Sequence, residues 1–390
     1  MQKEKKVDDI LQFLIVFLFL LFKYVEMWTF LVFNEIYESK FIMILLIFVG
    51  GLIAIRVKLK KNEVKKGIFW GIIFAVIVLL SKRMDFIASF FIAVTYFKND
   101  NGDRKFIKNF FISSIILFSL TIILGITNIL PSISTIRHIS NGEVLYRSNL
   151  GFYGANSLFL NFYPIVLAYI VLFFNNNWKK NLFDSGVILA ISLVFYEFTN
   201  CRAGMLCVIV TLILANFINA MGNKLIKNVT KYIFPILFTI SIISAIIFGV
   251  STDNAISRLS SGRMYFWSYY IRKIKFSFFG TEAIKTLPLD NLYLQFFCIY
   301  GFVSFVLYIY FTVIASKKMI KSNKLIFLIL AFSIYGFFEN NIAFNFNFLV
   351  TLMLIYILGE KENMFFIKEK SEENIDEGRK SKHNSTNIQF

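Results

Sequence analysis

The chain has 390 residues, 57% of them hydrophobic and 18% aromatic, with four prolines and a formal charge of +17. That share of apolar side chain excludes a water-soluble globular domain and makes the bilayer the solvent. Two histidines, and three cysteines without metal-ligand spacing (Cys201, Cys207, Cys298), exclude a His- or Cys-rich metal site.

Hydropathy predicts about twelve spanning segments in an all-α membrane domain over residues 1–360. Their limits are 10–33, 41–57, 67–81, 84–97, 106–126, 151–174, 183–199, 203–219, 231–250, 291–314, 325–338 and 342–358. The first lacks a small-residue cleavage site and is expected to stay as a span. The separation of the third from the fourth rests on "SKRMD". Lys and Arg crowd one set of loops, among them "RVKLKKNEVKK", "KNDNGDRKFIK" and "ASKKMIKSNK". The positive-inside rule then predicts that both termini are cytoplasmic. Most of the basic charge is thereby topological, and nucleic acid is not an expected partner. The tail, 361–390, is polar and expected to be disordered.

Two extracytoplasmic loops are predicted, about 127–150 and 251–290. The first carries His138 and ends in "YRSNLGFYGANSLFLNFYP", where Arg147 precedes a span bearing Asn156, Asn161 and Pro164. Those amides need partners in lipid, which either interhelical hydrogen bonds or a ligand would supply. Next comes the short turn in "EFTNCRAGM", where Arg202 either pairs with Glu197 or faces a ligand.

The second loop concentrates basic residues where topology disfavours them, so an anionic ligand is expected there. Its "SSGRMYFWSYYIRKIKF" reads as an amphipathic helix in the outer interface, capped by Ser261. Met264, Trp267, Ile271 and Ile274 form its apolar stripe, Ser268, Arg272 and Lys275 lie beside it, and Arg263 projects near Trp267 and Tyr270. Plain membrane anchoring by aromatics and snorkelling cations explains the same spacing. "PLDNLYLQFFCIYGF" then opens a span with Asp290 and Asn291, either an N-cap or part of a site. Finally "GFFENNIAFNFNFLV" places Glu339, Asn340 and Asn341 in the last outer turn. Arginines that converge at one membrane face would grip phosphate bidentately, and aromatic rings offer apolar faces to sugars.

In this order of pieces the chain resembles the Wzy-type polysaccharide polymerases of the O-antigen ligase/polymerase superfamily. The resemblance rests on Arg147, Gly151 and Asn156 entering a span, on "CRAG" at Arg202, on Ser261-Gly262-Arg263 followed by Trp267, and on Asp290, Asn291 and Tyr293. It covers about 147–301, with the span layout extending it. "CRAG" departs slightly from Ser-Arg-x-Gly, and the large loop lacks the histidine of the ligase branch, so the polymerase branch fits better.

The resemblance implies a glycosyltransferase-C-like fold in the bacterial cytoplasmic membrane and an enzyme that works without metal or other cofactor. Its substrate would be an undecaprenyl-pyrophosphate-linked oligosaccharide, and its partners the lipid bilayer, a flippase and chain-length regulator proteins. It also implies roles. Arg202 and Arg263 would hold the departing pyrophosphate, Arg147 pyrophosphate or glycan, and Asn156 would position substrate, with Trp267, Tyr270, Arg272, Asn291 and Tyr293 in the binding set. Glu339, Asp290 and His138 are the candidate bases. A flippase or permease of lipid-linked oligosaccharide is the rival without chemistry. Another lipid-linked-sugar glycosyltransferase, using Glu35 or Glu38 in the first outer loop, is the rival enzyme.

Overall fold

A computed structural model describes residues 2–33, 61–81, 85–99, 101–131, 135–138, 144–249, 262–273, 277–280, 289–339, 347–359 and 364–366. These fold into helices with one short hairpin. In chain order the elements are α1 (Gln2–Phe33), α2 (Lys61–Ser81), α3 (Asp85–Tyr96), α4 (Gly102–Ile126), β1 (Thr135–His138), β2 (Val144–Arg147), α5 (Ala155–Phe173), α6 (Trp178–Thr199) and α7 (Arg202–Asn216). A 3-10 turn (Ile218–Gly222) leads to α8 (Lys224–Lys231), α9 (Ile233–Phe248), α10 (Arg263–Lys273), α11 (Leu292–Cys298), α12 (Gly301–Met319), α13 (Asn323–Phe338) and α14 (Phe348–Leu358).

Among the described residues, five helices are long and apolar enough to cross a bilayer: residues 8–28 of α1, then α4, α5, α6 and α12. The pair α8–α9, bent by 67°, makes a sixth if it counts as one span. The chain is thus a multi-pass membrane protein by the length and composition of its helices. Every predicted span except 41–57 overlaps a described helix; 41–57, with Glu35 and Glu38 before it, lies outside the described residues.

Burial sorts the helices into centre and rim. α14 is apolar all round and every one of its residues is buried, the pattern of a helix enclosed by others. α5 is largely enclosed too, whereas α6 turns most of its apolar surface outward, as a lipid-facing helix does. At the centre Tyr163 stacks on Tyr335 with ring centroids 4.1 Å apart. The Tyr163 hydroxyl donates to the Ala331 carbonyl at 2.8 Å and meets Thr211 Oγ1 at 2.6 Å, so α5, α7 and α13 are tied at one point.

Four departures from the predicted layout stand out. The loop 127–150 contains the hairpin β1–β2, antiparallel with Thr135 opposite Arg147 and His138 opposite Val144. The predicted span 291–314 is broken into α11 and α12. At the break Gly301 has φ +86°, and a Cβ there would sit 2.2 Å from the Gly280 nitrogen. The segment 277–280 fills that space, its Ser277 and Phe278 carbonyls accepting from Phe302 and Val303 N–H.

Thirdly, much of the described part of the α10 stripe is covered by protein. Trp267 and Tyr270, each 1% exposed, pack with Ala245 of α9 and Leu294 and Cys298 of α11, and Ser268 is buried as well. Fourthly, residues 364–366, just past the predicted boundary at 360, pack against the bundle. Met364 and Phe366 are buried, and the Phe365 and Phe366 N–H groups donate to the carboxylate of Asp103, at the start of α4. Asp103 also accepts from Arg104 N–H and the Tyr356 hydroxyl, while the Arg104 guanidinium lies 4.2 Å from the Phe365 ring centroid.

Candidate functional site

The end of the bundle opposite Asp103 gathers the polar groups. Here α6 stops because Asn200 takes a left-handed conformation (φ +46°), and α7 restarts after Cys201. The hairpin returns beside this corner, with Ser148 N–H donating to the Phe198 carbonyl at 2.8 Å. The chain then turns into α5 through Leu150 (φ +47°) and Gly151 (φ +83°). This turn presses on α4 at Gly125, where a Cβ would come within 2.4 Å of the Leu150 carbonyl carbon.

Arg147 is fixed by that geometry. Its Nε donates to the Thr199 carbonyl and its Nη2 to Asn156 Oδ1, both at 2.6 Å. One guanidinium therefore joins β2, the end of α6 and the first turn of α5, with two of its five N–H donors. Among the described residues this bond from β2 is what satisfies the Asn156 oxygen. Asn161 instead bonds back to the Ser157 carbonyl of its own helix.

Arg263 opens α10 directly after Gly262 (φ +78°) and reaches the end of α13. Its Nη1 donates to the Phe338 carbonyl, and its Nη2 to Glu339 Oε1 at 2.6 Å, with Asp290 Oδ2 at 3.7 Å. The Glu339 side chain is only 3% exposed, against 15% for Arg263 and 30% for Asp290. Burial pushes the Glu339 carboxyl up to about 7, against the pull of Arg263; the nearby Asp290 raises it further and Arg147 lowers it. Burial raises Asp290 too, again against Arg263. For Arg263 burial works in the opposite direction, but Glu339 and Asp290 outweigh it and hold the guanidinium charged.

Cys201 lies within electrostatic reach of Glu339, Arg263 and Arg147, and burial pushes its thiol up to about 12. Glu339, Arg147, Arg263 and Asp290 thus form one cluster, brought together from β2, α10, the approach to α11 and the end of α13. Arg202 is exposed, one residue from Cys201, and its side chain makes no bond among the described residues. Of the two readings of that turn, the Glu197–Arg202 ion pair does not form, and Glu197 is exposed as well. So Arg263 holds Glu339, Arg147 lies within electrostatic reach of it, and Arg202 stands at the surface of the same corner.

Other predicted residues are placed differently. Asn291 is fully buried as the N-cap of α11. Its Oδ1 accepts from Leu294 N–H, and its Nδ2 donates to Ser241 Oγ and the Phe337 carbonyl, each at 3.0 Å. Tyr293 is 1% exposed and donates to the Ser333 carbonyl. Trp267 packs edge-on against Phe337 at 5.4 Å. Trp267 and Tyr270 are therefore packed inside, where α10 lies on α9 and α11, and Asn291 and Tyr293 are committed to internal hydrogen bonds. Arg272 is exposed at the far end of α10. The backbone of His138 pairs at the tip end of the hairpin, three strand positions, about 10 Å, from Arg147. Asn340 and Asn341 lie outside the described residues.

Two neighbours of the cluster escaped the sequence reading. Asn149 is 1% exposed, and neither its amide nitrogen nor its oxygen has a hydrogen-bond partner among the described residues. The Tyr335 hydroxyl, one helical turn before Glu339, is buried and equally unpartnered. "RSNLG" and the i, i+4 spacing in "YGFFE" carried those signals. Among the described residues no group of His, Cys, Asp and Glu is arranged to hold a metal ion. No family model, no curated protein and no solved structure matches this chain.

Proposed function

We propose that the protein is a Wzy-type polymerase that joins undecaprenyl-pyrophosphate-linked repeat units into a surface polysaccharide at the outer face of a bacterial cytoplasmic membrane. In this reading the bundle has about twelve spans with both termini in the cytoplasm, and the Arg147–Arg263–Glu339 corner faces outward. The observation that supports it is a buried carboxylate, Glu339, hydrogen-bonded to Arg263, with Arg147 within electrostatic reach, at the helix ends of an otherwise apolar bundle. Guanidinium groups in a partly dry site stabilise the negative charge that grows on a departing diphosphate. Loss of one such donor costs about 10²–10³ in rate. Asn156 and Asn149 would steady substrate beside Arg147, and Arg202 would meet phosphate at the surface of the corner.

The test is deletion of the gene followed by sizing of lipid-linked and surface glycans. The polymerase reading expects single repeat units exposed on the outer side. Units trapped on the cytoplasmic side would identify a flippase instead. Arg263→Lys and Arg202→Lys should abolish long chains, since lysine has no two-pronged donor to offer phosphate. Unchanged chain length in both would remove those two arginines from the site.

A further inference from the structure

Both Nη groups of Arg263 already have partners: Nη1 holds the Phe338 carbonyl and Nη2 holds Glu339. These bonds take two of its five N–H donors, one on each Nη, so a diphosphate gripping the edge between Nη1 and Nη2 competes with the carboxylate for that edge. Resting on the reading above, we infer that Glu339 occupies Arg263 until a lipid diphosphate displaces it, and that the released carboxylate then accepts the proton of the attacking hydroxyl.

The exchange is physically balanced. Arg263 trades one oxyanion partner for another with more charge, and Arg147 adds a second cation within reach of Glu339. The displaced carboxylate stays almost enclosed, at 3% exposed, and a buried carboxylate without its cation is strongly driven to take a proton. The groups facing Glu339 allow this. They are Arg263 from α10, Asp290 from the approach to α11, Arg147 from β2, Cys201 and Cys207 from around α7, and Tyr335 from its own helix. Asp290 is the one other acid among them, and its charge further disfavours ionised Glu339.

In the reaction, the acceptor hydroxyl oxygen bonds to the anomeric carbon while its proton passes to Glu339. The bond from that carbon to the diphosphate oxygen breaks, and the electron pair leaves with the diphosphate held by Arg263 and Arg147. Basicity is thus released only when the donor is seated, which protects the lipid-linked sugar from premature attack.

The experiment uses the full chain in lipid nanodiscs and titrates geranylgeranyl diphosphate, a polyprenyl diphosphate without a sugar. Calorimetry at pH 7 in two buffers of different ionisation heat counts the protons taken up. The wild type should take up a measurable fraction of a proton per ligand bound. Glu339→Gln should bind the diphosphate about tenfold more tightly with no uptake, while Asp290→Asn should retain the uptake. Wild-type binding without proton uptake would overturn the displacement step and leave the polymerase reading standing, whether or not Glu339→Gln folds. Glu339→Gln binding no more tightly than wild type would also overturn it. Failure of the wild type to bind any polyprenyl diphosphate would overturn both.

Discussion

The bond from Arg147 to Asn156 can be measured by a double-mutant cycle of Arg147→Ala, Asn156→Ala and the pair. Hydrogen bonds to charged groups contribute about 1.5–3 kcal/mol each. Arg147 is half-buried, so about 2 kcal/mol is the expected value for its 2.6 Å bond to Asn156 Oδ1. Arg147→Ala loses that bond and the one to the Thr199 carbonyl, and should cost about 3–4 kcal/mol. Asn156→Ala should cost about 2 kcal/mol, and the double variant little more than Arg147→Ala alone. The coupling of about 2 kcal/mol is close to 30-fold in the folded-to-unfolded ratio. Reversible unfolding in mixed micelles of a mild detergent and dodecyl sulfate gives all three values. Additivity to within about 0.5 kcal/mol would mean that the pair does not hold the hairpin to α5, and the derived geometry of the corner would fail with it.

Two further outcomes follow from geometry elsewhere. The Glu339 carboxyl is raised in the folded state, so the native chain keeps a proton that the unfolded chain has released. Its stabilising effect is complete below about 4.5, the ordinary value, and disappears as pH rises through about 7. Resistance to unfolding should fall across that window, and Glu339→Gln should flatten the slope; an unchanged slope in the variant would assign it to another group. Asp103→Asn exchanges one acceptor oxygen for a donor facing the Tyr356 hydroxyl and three backbone N–H groups. Proteolytic release of the chain end beyond Met364 should accelerate about tenfold or more, a loss of about 1.4 kcal/mol. An unchanged cleavage rate would show that the buried Phe366 ring alone retains the segment.

Hydropathy made the helices legible because lipid-facing and core-facing residues are alike apolar, and burial adds no contrast that the pattern lacks. The same uniformity hid the break between α11 and α12. "LYLQFFCIYGFVSFVLYIY" is apolar throughout, and Gly301 is its one local signal. The hairpin carried a local signal, Asn141-Gly142 between "TIRH" and "VLYR", although the register with His138 opposite Val144 differs from that of a two-residue turn at those positions. Helical spacing found the stripe of Trp267 but could not say what covers it. Arg263 and Glu339 were each singled out, yet 76 positions separate them, and only the fold brings them together. Asn291 and Tyr293 were the opposite case: polar residues at a span entrance that the folded chain uses for its own hydrogen bonds.

The segment Ser277–Gly280 has a mechanical implication. The first N–H groups of any helix lack acceptors within it, and those of Phe302 and Val303 rely on carbonyls lent by the second loop. If that strip lifted away, the start of α12 would lose its termination and tend to unravel. Movement of four residues at the edge of the bundle would then register as a shorter rod in its apolar interior.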